Sequence, residues 1–320
     1  MSFIGKLLYR CFYKPIGEHL TIKKYGGYKA YNKMLESEAE MKDFALNSLQ
    51  INLQFNPDGK FKLNFLTGEK FLHQTLFCLA SFSKFLSEEE AKNFSITFYD
   101  DGTLTNDFLL LIKNKISNVR IISYQDSIQN LRDKLPLETY PYIHKKVKDL
   151  FFFNKIFFIH SYDEPGLKIY LDSDMLFINR PSELLSWLNE NYLDPTASFT
   201  LEDVERSYGY SDEIISLLAK EIVTHKYNAG FYGIHSSKID FDEIEQLIKT
   251  IETNYGPSYY MEQFITALIL NRQKNLYILP NTEYIVFPNK EESELQIGKL
   301  HHYVNISKKE YFNLSWRFQI

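Results

Sequence analysis

Between Phe61 and Tyr124 the sequence alternates between two periods, and that alternation limits the fold more than any other feature. Phe61 to Leu66 is a short apolar run of strand type that ends at Thr67-Gly68. From Phe71 to Leu86 the apolar residues fall at 72, 76, 79, 82 and 86, which is the spacing of a helix. Phe94 to Tyr99 reads as a second strand closed by Asp100-Asp101-Gly102-Thr103, Asn106 to Ile116 as a helix, and Val119 to Tyr124 as a third strand. Strands joined by crossovers as long as a helix lie parallel. The expected class is therefore α/β, a mixed and mainly parallel sheet flanked by helices.

Further along, residues 125–160 read as mostly helical with a break at Tyr140-Pro141. The apolar run from Leu167 to Ile178 reads as one buried strand interrupted by Asp172-Ser173-Asp174. Ser182 to Leu188 is predicted helical after Pro181, and Ala197 to Leu201 extended. Residues 202–226 are charged and irregular, with a helical pattern from Asp212 to Val223. Tyr227 to Ile234 reads as a strand, followed by helices over Asp242–Thr253 and Ser258–Leu270. Short strands are predicted at Leu276–Leu279, Tyr284–Phe287 and Leu300–Val304, the last carrying His301 and His302. With no internal repeat, the expected organisation is an N-terminal appendage over 1–60 and one catalytic-sized domain over 61–320.

Residues 1–33 differ from the rest in charge. Lys6, Arg10, Lys14, Lys23, Lys24, Lys29 and Lys33 face only Glu18, inside a chain of net charge -5. Phe3, Ile4, Leu7, Leu8, Cys11 and Phe12 are interleaved with them. One reading is an interfacial arm making peripheral contact with anionic lipid or an acidic partner. The other is a packed helix with a solvated basic face, and Pro15 and Gly17, which cut the pattern short, favour it. The negative net charge argues against general nucleic-acid binding. Two cysteines, Cys11 and Cys78, without metal or disulfide spacing, fit a reducing compartment, so a cytoplasmic place is expected, at the inner membrane face if the arm binds lipid. No run reaches the roughly 18–20 apolar residues needed to cross a bilayer.

The chemistry is concentrated in Asp172-Ser173-Asp174. Carboxylates at the end of a buried strand face the crevice where open α/β sheets bind ligands. Two hard oxygen ligands there suit Mg²⁺ or Mn²⁺ bound together with a phosphate. A surface turn with two solvated acids is the plainer alternative, and the apolar flanks argue against it. Phosphatases of the haloacid dehalogenase type are excluded by Phe98-Tyr99-Asp100-Asp101-Gly102-Thr103-Leu104, where Tyr99 occupies the position of the nucleophilic aspartate. Asp174 is followed two residues later by Leu176, without Gly-Thr.

In the order of its pieces the chain resembles GT-A glycosyltransferases over roughly residues 61–310. Leu171-Asp172-Ser173-Asp174 is close to the form in glycosyltransferase family 8, and His302 with Lys308 has the spacing of that family's late His-x-x-Gly-x-x-Lys-Pro-Trp pattern. Asn305 stands for the Gly, and Lys309-Glu310 for Pro-Trp. The resemblance implies a metal site of Asp172, Asp174 and His302, with the imidazole favouring Mn²⁺ over Mg²⁺. His301 is a rival ligand that spacing does not separate from His302. Lys308 would meet the diphosphate, with Ser173 and Lys155 on the donor as well. Thr67 and Gly68 would lie against the nucleotide, and Asp100 or Asp101 would contact its base or ribose. Asn228 and Gly230, in Tyr227-Asn228-Ala229-Gly230, would line the sugar site, and Glu262-Gln263 would stand over the donor sugar.

Each of these has a plainer reading. Lys155 can be a surface lysine, Asp100-Asp101-Gly102 a turn, Asn228 a turn into a strand, and Glu262 an acid favoured by a helix N-terminus. The implied activity is metal-dependent transfer from a nucleotide-diphosphate sugar, a UDP-sugar favoured, to a glycan, lipid-linked or protein acceptor hydroxyl, in cell-surface glycan or lipopolysaccharide synthesis. Likeness to family 8 leans towards retention; inversion needs a carboxylate base, for which Glu262 is the candidate. A sugar nucleotidyltransferase is the alternative within the fold, but Leu66-Thr67-Gly68-Glu69-Lys70-Phe71 lacks its Gly-rich, Arg-containing loop. A non-catalytic carbohydrate- or nucleotide-binding protein is the third.

Overall fold

The computed structural model describes residues 14–219 and 223–320. Phe3, Ile4, Lys6, Leu7, Leu8, Arg10, Cys11 and Phe12 of the expected interfacial arm lie outside the described residues. Strands in chain order are β1 (Phe61–Thr67), β2 (Phe94–Asp100), β3 (Arg120–Ile122), β4 (Leu167–Leu171), β5 (Met175–Phe177), β6 (Ala197–Glu202), β7 (Tyr227–His235), β8 (Asn275–Ile278), β9 (Tyr284–Val286) and β10 (Leu300–His302). They form a seven-stranded sheet, β3-β2-β1-β4-β7-β6-β8, and a three-stranded sheet, β5-β10-β9. Parallel pairing joins β3, β2, β1 and β4, as the strand–helix–strand alternation requires, and β7 runs antiparallel between β4 and β6.

Helices cover both faces of the large sheet, which is why its strands read as near-continuous apolar runs. Along β1, Leu63 and Phe65 enter one core and Leu66 the other; along β4, Ile169 and Leu171 part from Tyr170 in the same way. The helix Leu72–Ser83 packs in the first core with every residue buried, and Asn154–Ser161 is equally enclosed in the second. A long helix, Tyr28–Asn47, starts after Gly27, whose φ of 92° belongs to the left-handed region that glycine enters without strain. It buries Met34, Met41 and Ala45, with Phe44 lying 6.1 Å from Phe77 and 6.0 Å from Trp316 between ring centres. This part of the first sixty residues is thus packed into the same core as the rest. No described helix is long and apolar enough to cross a membrane.

One sequence expectation changes. The run Leu167–Ile178 is two strands in two sheets. Strand β4 ends where the Asp172 amide donates to Gly230 O at 2.7 Å; the chain then turns and re-enters as β5, paired to β10. Both segments are buried, so nothing in the hydrophobic pattern marks the break. Asp172-Ser173-Asp174 occupies the turn between the sheets.

Candidate active site

The small sheet closes the site. β10 pairs antiparallel with β5 so that His302 stands opposite Met175, and the Tyr303 amide donates to the Asp174 carbonyl at 2.9 Å. Residues far apart in sequence are thereby fixed side by side. His302 Nε2 lies 3.3 Å from Asp174 Oδ1 and 3.9 Å from Asp172 Oδ2. The candidate ligand atoms of Asp172, Asp174 and His302 all fall within 4.8 Å of one another. Strand parity sends the neighbouring His301 the other way, where its Nε2 is 2.6 Å from Ile297 O and its Nδ1 2.9 Å from the Tyr303 hydroxyl. Of the two histidines, His302 faces the aspartates.

Lys308 opens the helix Lys308–Asn313, and its Nζ lies 2.8 Å from Asp174 Oδ2. Burial works against the charge on Asp174, but Lys308 and then His302 outweigh it and hold the carboxyl well below the usual range. Burial likewise opposes the Lys308 ammonium, and Asp174 more than compensates. The Tyr170 hydroxyl donates to the other carboxylate, at Asp172 Oδ1. The donor set fits Mn²⁺ or Mg²⁺: two carboxylates and an imidazole nitrogen converge, and Gly230 lets β7 approach them. A Cβ at Gly230 would stand 2.5 Å from Asp172 Oδ2 and 2.6 Å from His302 Cε1.

Further lining comes from β7, which runs beside β4, and from the helices Asn154–Ser161 and Met261–Asn271. Lys155 is buried, with Nζ donating to Ala229 O at 2.8 Å and lying 3.1 Å from Glu262 Oε2. Glu262 also accepts from the Thr266 hydroxyl at 2.7 Å. Burial raises the Glu262 carboxyl above its ordinary value, opposed in part by Lys155. Burial also disfavours the Lys155 ammonium, but Glu262 and then Asp172 outweigh it and hold it up. Asn228 accepts from the Gly230 amide at 2.9 Å and donates to Asp203 Oδ2 at 2.9 Å; Gln263 donates to the same oxygen at 3.3 Å. Asp203 thus organises two residues that the sequence singled out.

A cavity of about 350 Å³ brings together Asp172, Ser173, Asp174, His302, Lys308, Lys155, Asn228, Gly230, Glu262 and Gln263. Thr67, Gly68, Asp100 and Asp101 are not among its lining residues. The Thr67 hydroxyl is buried 2.7 Å from that of Thr75, which is 2.8 Å from the Ser173 hydroxyl. Gly68 is pressed against Asp101, whose carboxylate a Cβ would strike at 2.0 Å. Asp100 accepts from the amides of Gly102, Thr103 and Leu104 at 2.8 to 3.1 Å, so its carboxylate is engaged by its own turn. Asp101 accepts from the Thr103 amide and hydroxyl and lines a neighbouring depression with Lys70, Phe71 and Phe151.

Among the cavity residues that the sequence reading does not single out are Tyr170 and Asp203. Tyr170 lies two residues before Asp172, and period-two parity puts such pairs on one face. Asp203 follows the end of β6 as Asp172 follows the end of β4, the same signal in a segment crowded with acids.

No protein-family model matches the chain, and no curated protein matches it in sequence. Solved structures do match. Mouse xyloside xylosyltransferase 1, in its apo form, is 11% identical with a TM-score of 0.51, over 76% of this chain and 96% of that one. The bifunctional glycosyltransferase WbbM, also apo, is 14% identical with a TM-score of 0.50, over 83% of this chain and 52% of that one. At such identities the likeness establishes architecture. The chain has the GT-A fold of glycosyltransferases, the mixed α/β class expected from its sequence.

Proposed function

We propose that the protein is a metal-dependent glycosyltransferase that moves a sugar from a nucleotide-diphosphate sugar, a UDP-sugar first among candidates, to an acceptor hydroxyl. The observation that carries this is the convergence of Asp172, Asp174 and His302, with Lys308 2.8 Å from Asp174, on the floor of one cavity. Asp172, Asp174 and His302 would hold Mn²⁺ or Mg²⁺, which when bound offsets the negative charge that gathers on a leaving diphosphate. Lys308 supplies a fixed ammonium beside it, in a partly desolvated cleft where a charge acts more strongly than in water. Asp203 holds the Asn228 and Gln263 amides against each other, so that their remaining hydrogen-bonding capacity orients sugar hydroxyls. Glu262 is tied to Lys155 and Thr266, which fixes its carboxyl beside Gln263 at the proposed sugar site. On this reading the acceptor is a glycan or glycan-like hydroxyl, reached in a reducing compartment.

The reading is tested with Mn²⁺ titrations followed by electron paramagnetic resonance, and with thermal shift in UDP-hexoses with and without Mn²⁺. Asp174→Asn keeps the shape of the side chain and should weaken Mn²⁺ on the order of 100-fold, abolishing Mn²⁺-dependent donor binding. If the variant hydrolysed or transferred donor with its Mn²⁺ dependence intact, the metal site would be misassigned.

A further inference from the structure

The mouth of the cavity carries large aromatic side chains that the chemistry above leaves unused. Tyr259 is 73% exposed, Phe151 50% and Tyr260 45%, and all three line the cavity together with Phe152. They are not scattered. Ring centres are 5.2 Å apart for Phe152 and Tyr259, 5.4 Å for Tyr259 and Tyr260, and 5.7 Å for Phe151 and Phe152, each pair edge to face. Isolated exposed aromatics are common on surfaces, whereas a contiguous set beside a polar cavity marks a binding surface.

The ledge is also held in register with the site. Tyr260 occupies the N-cap position of the helix Met261–Asn271, so Glu262 and Gln263 lie within the first turn after it. The preceding loop is fastened from the 202–211 segment: the Tyr210 hydroxyl donates to Gly256 O at 3.3 Å, and Gly209, at φ +75°, packs so closely that a Cβ would stand 2.1 Å from Ser258 Oγ. Asp203, which joins Asn228 and Gln263, lies on the same side of the cavity wall.

We propose that Tyr259, with Phe152 and Tyr260, is a stacking ledge for a pyranose ring of the acceptor. A pyranose presents faces of weakly positive C–H groups and an edge of hydroxyls. An aromatic face, negative in its quadrupole, complements the first, and the carboxylate and amides of Asp203, Asn228 and Gln263 complement the second. A nucleobase is the rival occupant. It belongs instead at the carboxyl ends of the parallel strands, beside which Leu66 and Phe71 reach the cavity; Phe71 stacks on Phe151 with ring centres 6.4 Å apart, so Phe151 marks the nucleobase end of the aromatic run and Phe152, Tyr259 and Tyr260 the other. Calling the pyranose the acceptor rests on the proposed transferase function; the carbohydrate ledge itself does not.

The experiment is saturation-transfer difference NMR on the full chain with UDP and Mg²⁺, which is diamagnetic and leaves the ligand signals sharp. The probes are methyl glycosides of β-glucose, β-galactose, β-xylose and α-mannose, with irradiation of the protein's aromatic protons. At least one glycoside should take up saturation on its ring C–H protons. Tyr259→Ala should weaken that glycoside about fivefold, or ~1 kcal/mol, while Tyr259→Phe, which keeps the ring face, binds as the wild type does. Both variants should retain Mn²⁺ affinity. The proposal is overturned if no glycoside is saturated, if Tyr259→Ala changes nothing, or if Tyr259 proves to saturate the uracil protons instead. If Mn²⁺ and UDP fail to bind while a glycoside still depends on Tyr259, the transferase reading falls and the ledge stands.

Discussion

Gly230 shows how much a site can depend on an atom that is absent. Its position in β7 faces both Asp172 and His302, at distances no Cβ tolerates. Gly230→Ala should therefore push Asp172 or the His302 ring out of place. Mn²⁺ affinity should fall by about 10- to 100-fold, while far-UV circular dichroism stays near that of the wild type. A variant that bound Mn²⁺ normally would show that the ion sits elsewhere. At this scale the sequence is informative where residues form motifs: Asp172 and Asp174 stand out at a strand end, His302 and Lys308 by their resemblance to the family 8 pattern, and the four lie together. It could not choose between His301 and His302, because that choice is made by strand parity, and parity needs the pairing of β10. Asp203 was hidden among Glu202 and Glu205, and only the return of Asn228 and Gln263 to it gives it meaning.

Among elements, the chain of hydroxyls from Thr67 through Thr75 to Ser173 couples the end of β1, the helix Leu72–Ser83 and the turn that carries both aspartates. Thr75→Val keeps the shape and leaves two buried hydroxyls without this partner, which should cost about 1–3 kcal/mol of stability. Thr75→Ser should restore most of it, and urea denaturation of both variants measures the difference. An unchanged midpoint in the valine variant would mean that the hydroxyls find other partners. The strand and helix order was largely readable, because each element buries a face with its own period. The break at Asp172 was not, since β4 and β5 are both fully buried although they belong to different sheets. Residues 1–33 stand apart by charge; among the described residues that follow, the helix Tyr28–Asn47 turns Met34, Met41 and Ala45 into the core.

For the molecule as a whole, buried imidazoles set the response to acid. Burial holds His73 and His301 neutral, each brought down to about 4, with Lys42 and Lys308 adding to the effect at His73. Unfolded histidines take up protons near pH 6.5, so between there and about pH 4 the unfolded state binds more protons than the folded one. Stability must then fall as pH drops through that window, by up to roughly 3 kcal/mol for each group. Glu90 acts lower down. Held at about 2, chiefly by its hydrogen bond to Arg180, it gives up its contribution only as pH falls below the usual glutamate value. His73 has no hydrogen-bond partner among the described residues and lies 3.8 Å from Glu38, so His73→Leu removes a titrating group without breaking a hydrogen bond. Its melting temperature should fall less between about pH 7 and pH 4.5 than that of the wild type; an equal fall would show that His73 titrates normally in the folded chain.

The ladder between β5 and β10 has a consequence for the order in which the protein becomes competent during synthesis. All seven strands of the large sheet have been made once β8 has left the ribosome, at Ile278. Asp172 and Asp174 have been made by then, but β5 has no partner strand, and His302 and Lys308 are still to come. A nascent chain can thus complete its main sheet while having neither the imidazole nor the ammonium, and on the proposed reading a chain interrupted there lacks two of the groups that would hold the ion and the diphosphate. His302 joins the two aspartates in one step, when the last strand docks against β5.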